Sequence, residues 1–282
     1  MKLSKPQIKT FQDKILTWYA AHQRDLPWRK SRDPYRILVS EIMLQQTQVN
    51  RVIPKYEAWF DAFPTIHDLA TAPVAEVLKY WSGLGYNRRA LNLKKTATIV
   101  SEKYEGKFPE KEKELLALPG IGQYTARAIM CFAFDQQVAV VDINVKKVIL
   151  TQLLKVPGSV ALGDTSEVHK VNDKEIAAIA EELVPHGRAY DWNQALMDYS
   201  SLMLKKEKID IPKQSTFKGS RRYYRGKIVK HLLQNKELVV NDLGKLIKTD
   251  FGKDDVELLQ SIINDMKKEG FITINKDKIR LA

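Results

Sequence analysis

Leu118-Pro119-Gly120-Ile121-Gly122-Gln123-Tyr124-Thr125-Ala126, followed about twenty residues on by Val141-Asp142-Ile143-Asn144, decides how the rest of this chain is read. The first run predicts a helix ending at Leu116, a tight Pro-Gly-x-Gly hairpin, and a new helix running to Phe134. Pro119 fixes φ, and Gly120 and Gly122 permit backbone angles and a close approach that a Cβ forbids. The turn through Ile121 and Gln123 then exposes N–H groups just ahead of a helix N-terminus, a geometry suited to a phosphate. Taken by itself the hairpin is also an αα-corner built from good turn residues.

The chain around it has 282 residues, 44% of them hydrophobic, enough for two domains with real cores. Its net charge of +12 favours an anionic partner. Residues 205–282 carry +8 of that excess and the longer remainder only +4. Cys131 is the single cysteine, so no internal disulfide and no thiolate metal cluster can form. It sits in an apolar helical run and reads as a small buried hydrophobe. No run of about eighteen apolar residues is present to span a membrane, and Met1 to Pro6 hold no apolar secretion core. A cytoplasmic protein, monomeric, is the expectation.

Outward from the hairpin the pattern is helical. Residues 8–22 repeat Phe11, Ile15, Trp18 and Tyr19 at helical spacing. Arg24 to Arg29 form a turn. Asp33-Pro34 predicts an N-cap and first-turn proline for a helix through about Val49. Further helices are expected near 51–62, 65–71, 73–81, 86–104, 111–116, 144–154, 173–184 and 189–204. Val138 to Val141 read as an apolar connector. Residues 205–219, rich in lysine with Pro212 and Gly219, read as a linker. Beyond it come helices 220–234, 241–248 and 254–268, then a hairpin of Phe271–Ile274 and Lys278–Leu281. Three helices and a terminal hairpin predict a winged helix-turn-helix over 220–282.

On the helix opened by Pro34, Glu41, Gln45 and Gln48 fall at i, i+4 and i+7, one face, with Leu44 beside them. That suits protonation of a base and insertion of polar side chains into a duplex; it is equally the composition of a solvated face. Asp142 reads as the N-cap of the helix after Asn144. A carboxylate held by helix N–H groups stays ionised near neutral pH. An ionised carboxylate beside a cationic sugar and a protonated one in a drier place make a glycosidic pair, and Asp142 and Glu41 are the obvious candidates. Tyr124 is a packed aromatic or a phenol contacting a target nucleotide. Gln123 and Tyr124 supply no amine for a Schiff base.

Leu118 to Gly122 with Asp142 resemble the helix-hairpin-helix DNA glycosylases of the endonuclease III superfamily. Three segments, Leu26-Pro27-Trp28-Arg29, Ser40 to Val49, and Gly83-Leu84-Gly85-Tyr86, are similar to adenine DNA glycosylases of the MutY type. The resemblance covers about residues 8–204. It implies an all-α, two-lobed fold with double-stranded DNA in the cleft between the lobes, one lobe being 29–137 and the other 1–28 with 138–204. Carried over by position, Glu41 would protonate adenine, and Asp142 would steady the sugar cation with Tyr124 and Asn144 in support. Gln46 and Tyr86 would fill the duplex, while Trp28 and Arg29 line the base pocket. It also implies a hairpin-to-phosphate contact, where a monovalent cation can sit. Lacking a lysine at Tyr124, the enzyme would be monofunctional and leave an intact abasic strand.

The chain departs from that family twice. Leu204 stands where the first of four cluster cysteines would fall, so no iron–sulfur cluster is expected. The tail is too short and too helical for the Nudix-like domain that reads 8-oxoguanine. Val184 to Asn193 also look somewhat like mismatch thymine glycosylases, leaving thymine or uracil opposite guanine as an alternative substrate. A non-catalytic DNA binder on the same scaffold is a third. In the tail, Arg221, Arg222 and Arg225 interleave with Tyr223 and Tyr224, which suits phosphate contacts with stacking.

Overall fold

The computed structural model describes residues 3–154, 171–207, 216–248 and 251–282. Part of the expected linker, with Lys208, Pro212 and Lys213, lies outside them. Fourteen α-helices occur among the described residues. The first seven are α1 (Lys5–His22), α2 (Pro34–Leu44), α3 (Val49–Ala62), α4 (Ile66–Thr71), α5 (Val74–Trp81), α6 (Arg88–Lys103) and α7 (Glu112–Leu116). After the hairpin come α8 (Gln123–Phe132), α9 (Ile143–Val148), α10 (Asp173–Glu182) and α11 (Ala189–Met203). The tail holds α12 (Arg221–Gln234), α13 (Val240–Ile247) and α14 (Lys253–Glu269).

Local chemistry explains most of the boundaries. Ser4 and Gln7 close a capping box on α1, Thr65 and Asp68 on α4, and Asn172 and Glu175 on α10. Gly270, at φ +85°, ends α14 in the left-handed conformation. One boundary corrects the sequence reading. α2 stops at Leu44 and does not run to Val49. Gln46 turns to φ +55° and the Thr47 N–H bonds back to the Leu44 carbonyl, so the chain leaves the helix and re-enters one at Val49. Gln45 and Gln48 therefore do not share a helix face with Glu41. The connector Val138–Val141 is neither helix nor strand, as expected.

The chain divides into two compact units. The first comprises Met1–Leu38, Glu110–Ala117 and Ile121–Lys213. Its core joins Phe11, Ile15 and Tyr19 of α1 to Val148 of α9 and Trp192 and Tyr199 of α11. Phe11 meets Trp192 edge-on at 5.8 Å between centroids, a favoured aromatic geometry.

The second unit comprises Val39–Pro109, Leu118–Gly120 and Gln214–Ala282. Trp59, Phe63 and Trp81 are fully buried there, with Trp59 edge-on to both others at 4.9 and 5.7 Å. The tail belongs to this unit, and α12 packs on α5. Its three strands, β1 (Leu238–Val239), β2 (Ile272–Asn275) and β3 (Lys278–Leu281), form an antiparallel sheet in the order β1-β3-β2. β1 adds a third strand to the two read from the sequence. Among the described residues no helix is long and apolar enough to cross a membrane.

Candidate active site

The first unit holds Asp142 and fixes it closely. The connector before it cannot pair as a strand because side chains take its backbone groups. Asn193, buried in α11, accepts the Val140 N–H at 2.8 Å and donates to the Val138 carbonyl at 3.0 Å. Glu181 accepts the Ala139 N–H at 3.1 Å, and Arg127 donates to the Ala139 carbonyl at 3.1 Å. Arg127 and Glu181 also pair with each other. Held this way, the chain delivers Asp142 to the N-terminus of α9.

There one Asp142 oxygen accepts the N–H groups of Asn144 and Val145, both at 2.8 Å, and the other accepts Asn144 Nδ2 at 2.7 Å. Ser200 of α11 donates to Asn144 Oδ1 at 3.3 Å, fixing which way that amide faces. The N-cap expected from sequence is present. The direction of its pKa is not the expected one. Burial pushes the Asp142 carboxyl above its ordinary value and outweighs the bonds from Val145 and Asn144, which act the other way.

Asp142 edges a cleft of about 620 Å³ that Tyr124, Ile143 and Lys146 also line. Tyr124 stands in the first turn of α8. The N-cap there, Gly122, has no side chain to accept the first-turn N–H groups. Ile121 is buried beneath the turn, while Gly122 and Gln123 are exposed.

Trp28 and Arg29 lie on a short 3₁₀ turn, Pro27–Lys30. Trp28 is buried, and Arg29 donates to both Asp198 oxygens at 2.7 and 2.8 Å. Arg24 adds a 2.6 Å bond to the same fully buried carboxylate. Burial alone would raise Asp198, yet the bonds and charge of Arg29, with Arg24, hold its carboxyl below the usual range. The structure thus gives the Arg29 guanidinium a buried ion pair.

Glu41 belongs to the second unit. It is buried, 7% exposed, on α2 beside Ser40. Leu44 and Gln45 are half-buried and Gln46 and Gln48 exposed. Gln48 is the N-cap of α3 without a side-chain capping bond. Arg89 of α6 organises this end. One of its nitrogens donates to the Ile42 and Gln45 carbonyls, both at 2.6 Å, satisfying the C-terminus of α2. The other reaches Leu84 and Gly85 carbonyls at 3.1 and 3.2 Å, in the turn that carries Tyr86. Burial lowers the Arg89 pKa to about 10. In the same unit, Pro119 accepts Thr96 Oγ1 at 2.9 Å, and Gly120 adopts φ +79° against Asn92.

Of the tail arginines, Arg221 pairs with Asp265 at 2.5 Å and Arg225 with Glu269 at 2.5 Å. Arg222 donates to the Tyr86 hydroxyl. Sequence reasoning missed Arg89, Asn193, Ser200 and Asp198. Each has a partner far off in the chain (Arg89 with Gln45, Asn193 with Val140, Ser200 with Asn144, Asp198 with Arg24), so no local spacing announces them.

An iron–sulfur cluster does not fit these residues. The chain has one cysteine. It is buried in α8, and burial pushes its thiol up to about 12. Leu204, where a first cluster cysteine would fall, is packed in the apolar core. Among the described residues no three His, Cys, Asp or Glu side chains are placed to hold a metal.

Residues 39–154 match the model of the HhH-GPD superfamily base excision DNA repair proteins. A thymine/uracil-DNA glycosylase of Methanothermobacter thermautotrophicus is 37% identical over 196 residues, 69% of this chain and 85% of that protein. An adenine DNA glycosylase of Mycolicibacterium smegmatis is 40% identical over 190 residues, 65% of this chain and 60% of that one. The Homo sapiens adenine DNA glycosylase is 39% identical over 201 residues, 68% of this chain but 35% of its own length. The structure of a thermostable thymine-DNA glycosylase superposes with a TM-score of 0.62 at 36% identity, covering 72% of this chain and 91% of that one. By sequence and by fold, the chain belongs to the HhH-GPD superfamily of base excision DNA repair proteins and is by family a DNA N-glycosylase.

Proposed function

We propose that the chain removes adenine from double-stranded DNA in which it is mispaired with 8-oxoguanine or guanine. One observation carries the reading. Asp142 is anchored by three donors at the edge of a cleft whose neighbouring aromatic is Tyr124, not an amine. Such a site steadies a cationic sugar; Tyr124 is no Schiff-base nucleophile, and the lysine that lines the cleft, Lys146, is paired with Asp173. The target nucleotide leaves the stack. Glu41 gives its proton to N7 of adenine as the glycosidic bond breaks and its electron pair departs with the base. Asp142 stabilises the sugar cation, with Asn144 and Tyr124 in support, until water adds at C1′ and loses a proton. A cation beside Asp142 favours its ionised form, against the upward pull of burial. The product is an intact abasic strand.

Gln45, Gln46, Gln48 and Tyr86 contact the duplex in this reading. The hairpin of Pro119, Gly120, Ile121, Gly122 and Gln123 holds a phosphate, with a monovalent cation as the bridge. Residues 220–282 act as a winged helix-turn-helix, and the protein works as a monomer.

Thymine or uracil opposite guanine is the second reading. The thymine relatives favour it by length, since this chain spans 85 to 91% of them and 60% or less of the adenine glycosylases quoted. Buried Glu41 favours adenine, because thymine has no N7 to protonate. A panel of duplexes with adenine opposite 8-oxoguanine, adenine opposite guanine, thymine opposite guanine and uracil opposite guanine separates them. Release of adenine alone supports the proposal. Release of only the pyrimidines refutes it.

A further inference from the structure

The tail touches the turn that carries Tyr86. Gly83, Gly85 and Tyr86 have φ of +93°, +73° and +47°. A tyrosine at positive φ is strained and persists where its surroundings over-determine it. From inside, Arg89 holds the turn's carbonyls, as described above. From outside, Arg222 of α12 donates to the Tyr86 hydroxyl at 2.5 Å. The phenol, 39% exposed, has the Arg89 guanidinium 5.6 Å and that of Arg222 5.2 Å from its centroid. The tail is bound to the same surroundings by other contacts. Glu269, paired within the tail to Arg225, meets Arg88 of α6 at 3.7 Å, and its carbonyl accepts Lys95 Nζ at 3.1 Å.

An exposed ring on a strained turn, flanked by cations, is placed to stack on a base and not to fill a core. We propose that Arg222 is a positioning residue for Tyr86. It pre-orders the ring for entry into the duplex beside the extruded nucleotide. The tail then serves base extrusion, whereas Arg221 and Arg225 are spent on Asp265 and Glu269. A ring fixed before binding loses less rotamer freedom on insertion. The inference rests on the reading above only in needing a duplex with a base to extrude.

The test uses the full chain with Arg222→Ala, Tyr86→Phe and the double variant. A duplex carries 2-aminopurine beside the target adenine, whose fluorescence rises on unstacking without any need for catalysis. Arg222→Ala is expected to lower that rise, and the single-turnover rate of base release, by roughly tenfold for loss of one charge-assisted bond. Tyr86→Phe, which keeps the ring, is expected to share the defect, and the double variant to be no worse. If the wild type unstacks the probe yet releases no base, the function proposed above fails while this inference stands. Wild-type unstacking by Arg222→Ala overturns it. So does a uniform loss of affinity for matched and mismatched duplexes, with additive effects in the double variant and a salt slope shallower by about one, the mark of a phosphate contact.

Discussion

Gly120→Ala strikes the hairpin where geometry leaves least room. Gly120 sits at φ +79°, where an L-residue costs roughly 1–2 kcal/mol. A Cβ there would lie 2.7 Å from Asn92 Cβ and 2.9 Å from Asn92 Nδ2. Contact at that range forces α6 or the hairpin to move, at about 1–3 kcal/mol for overpacking. The two contributions together give about 2–5 kcal/mol. Gly106 supplies the control, since it has φ +80° and nothing within 4 Å of its added Cβ. Gly106→Ala should therefore show the backbone cost alone. Calorimetry on both variants reads the difference, at roughly 2–4 °C in Tm per kcal/mol. Asn92→Ala should not rescue Gly120→Ala, because the closest approach is to Asn92 Cβ itself. Duplex affinity should fall with Gly120→Ala and hold with Gly106→Ala, the former alone displacing the phosphate-facing turn. Equal Tm values for the two alanine variants would refute the steric argument.

The two aspartates of the first unit should respond to pH in opposite directions. Because the folded Asp142 carboxyl binds its proton more tightly than the unfolded one, stability falls as pH rises above about 4 through its raised value. Asp142→Asn removes that cost, so Tm at pH 7 should exceed the wild type's while the two converge near pH 3; thermal melts against pH check it. Asp198 is held low, so it contributes stability above about pH 4 that is lost as pH falls through its depressed value. Asp198→Asn should destabilise by about 3–5 kcal/mol at pH 7, since Arg29 is left buried without its carboxylate, and the deficit should shrink in acid.

Helices and caps were legible because their signals are local. Asp142 with Asn144 announces an N-cap, and Asp33 with Pro34 announces the start of α2. The end of α2 was not legible. Polar Gln45 to Gln48 satisfy a helical pattern, and the terminal carbonyls freed where the chain turns at Gln46 are taken by Arg89, 44 residues on from Gln45. The upward direction of Asp142 was hidden for the same kind of reason. A cap can be read from three residues, but burial is assembled only by the tertiary fold. Arg29 shows the converse: its motif was visible, but its partner Asp198 lies 169 residues away.

The account stands on two acids with different duties. The measurement that tests it most directly is single-turnover release of adenine, from duplexes with adenine opposite 8-oxoguanine and opposite guanine, by the wild type, Glu41→Gln and Asp142→Asn. Duplex affinity is measured in parallel. The account predicts release by the wild type, loss of roughly 10²–10⁴ in rate for Glu41→Gln as for other general acids, and a loss at least as large for Asp142→Asn, with affinity retained in both. Near-native release by either variant would contradict it.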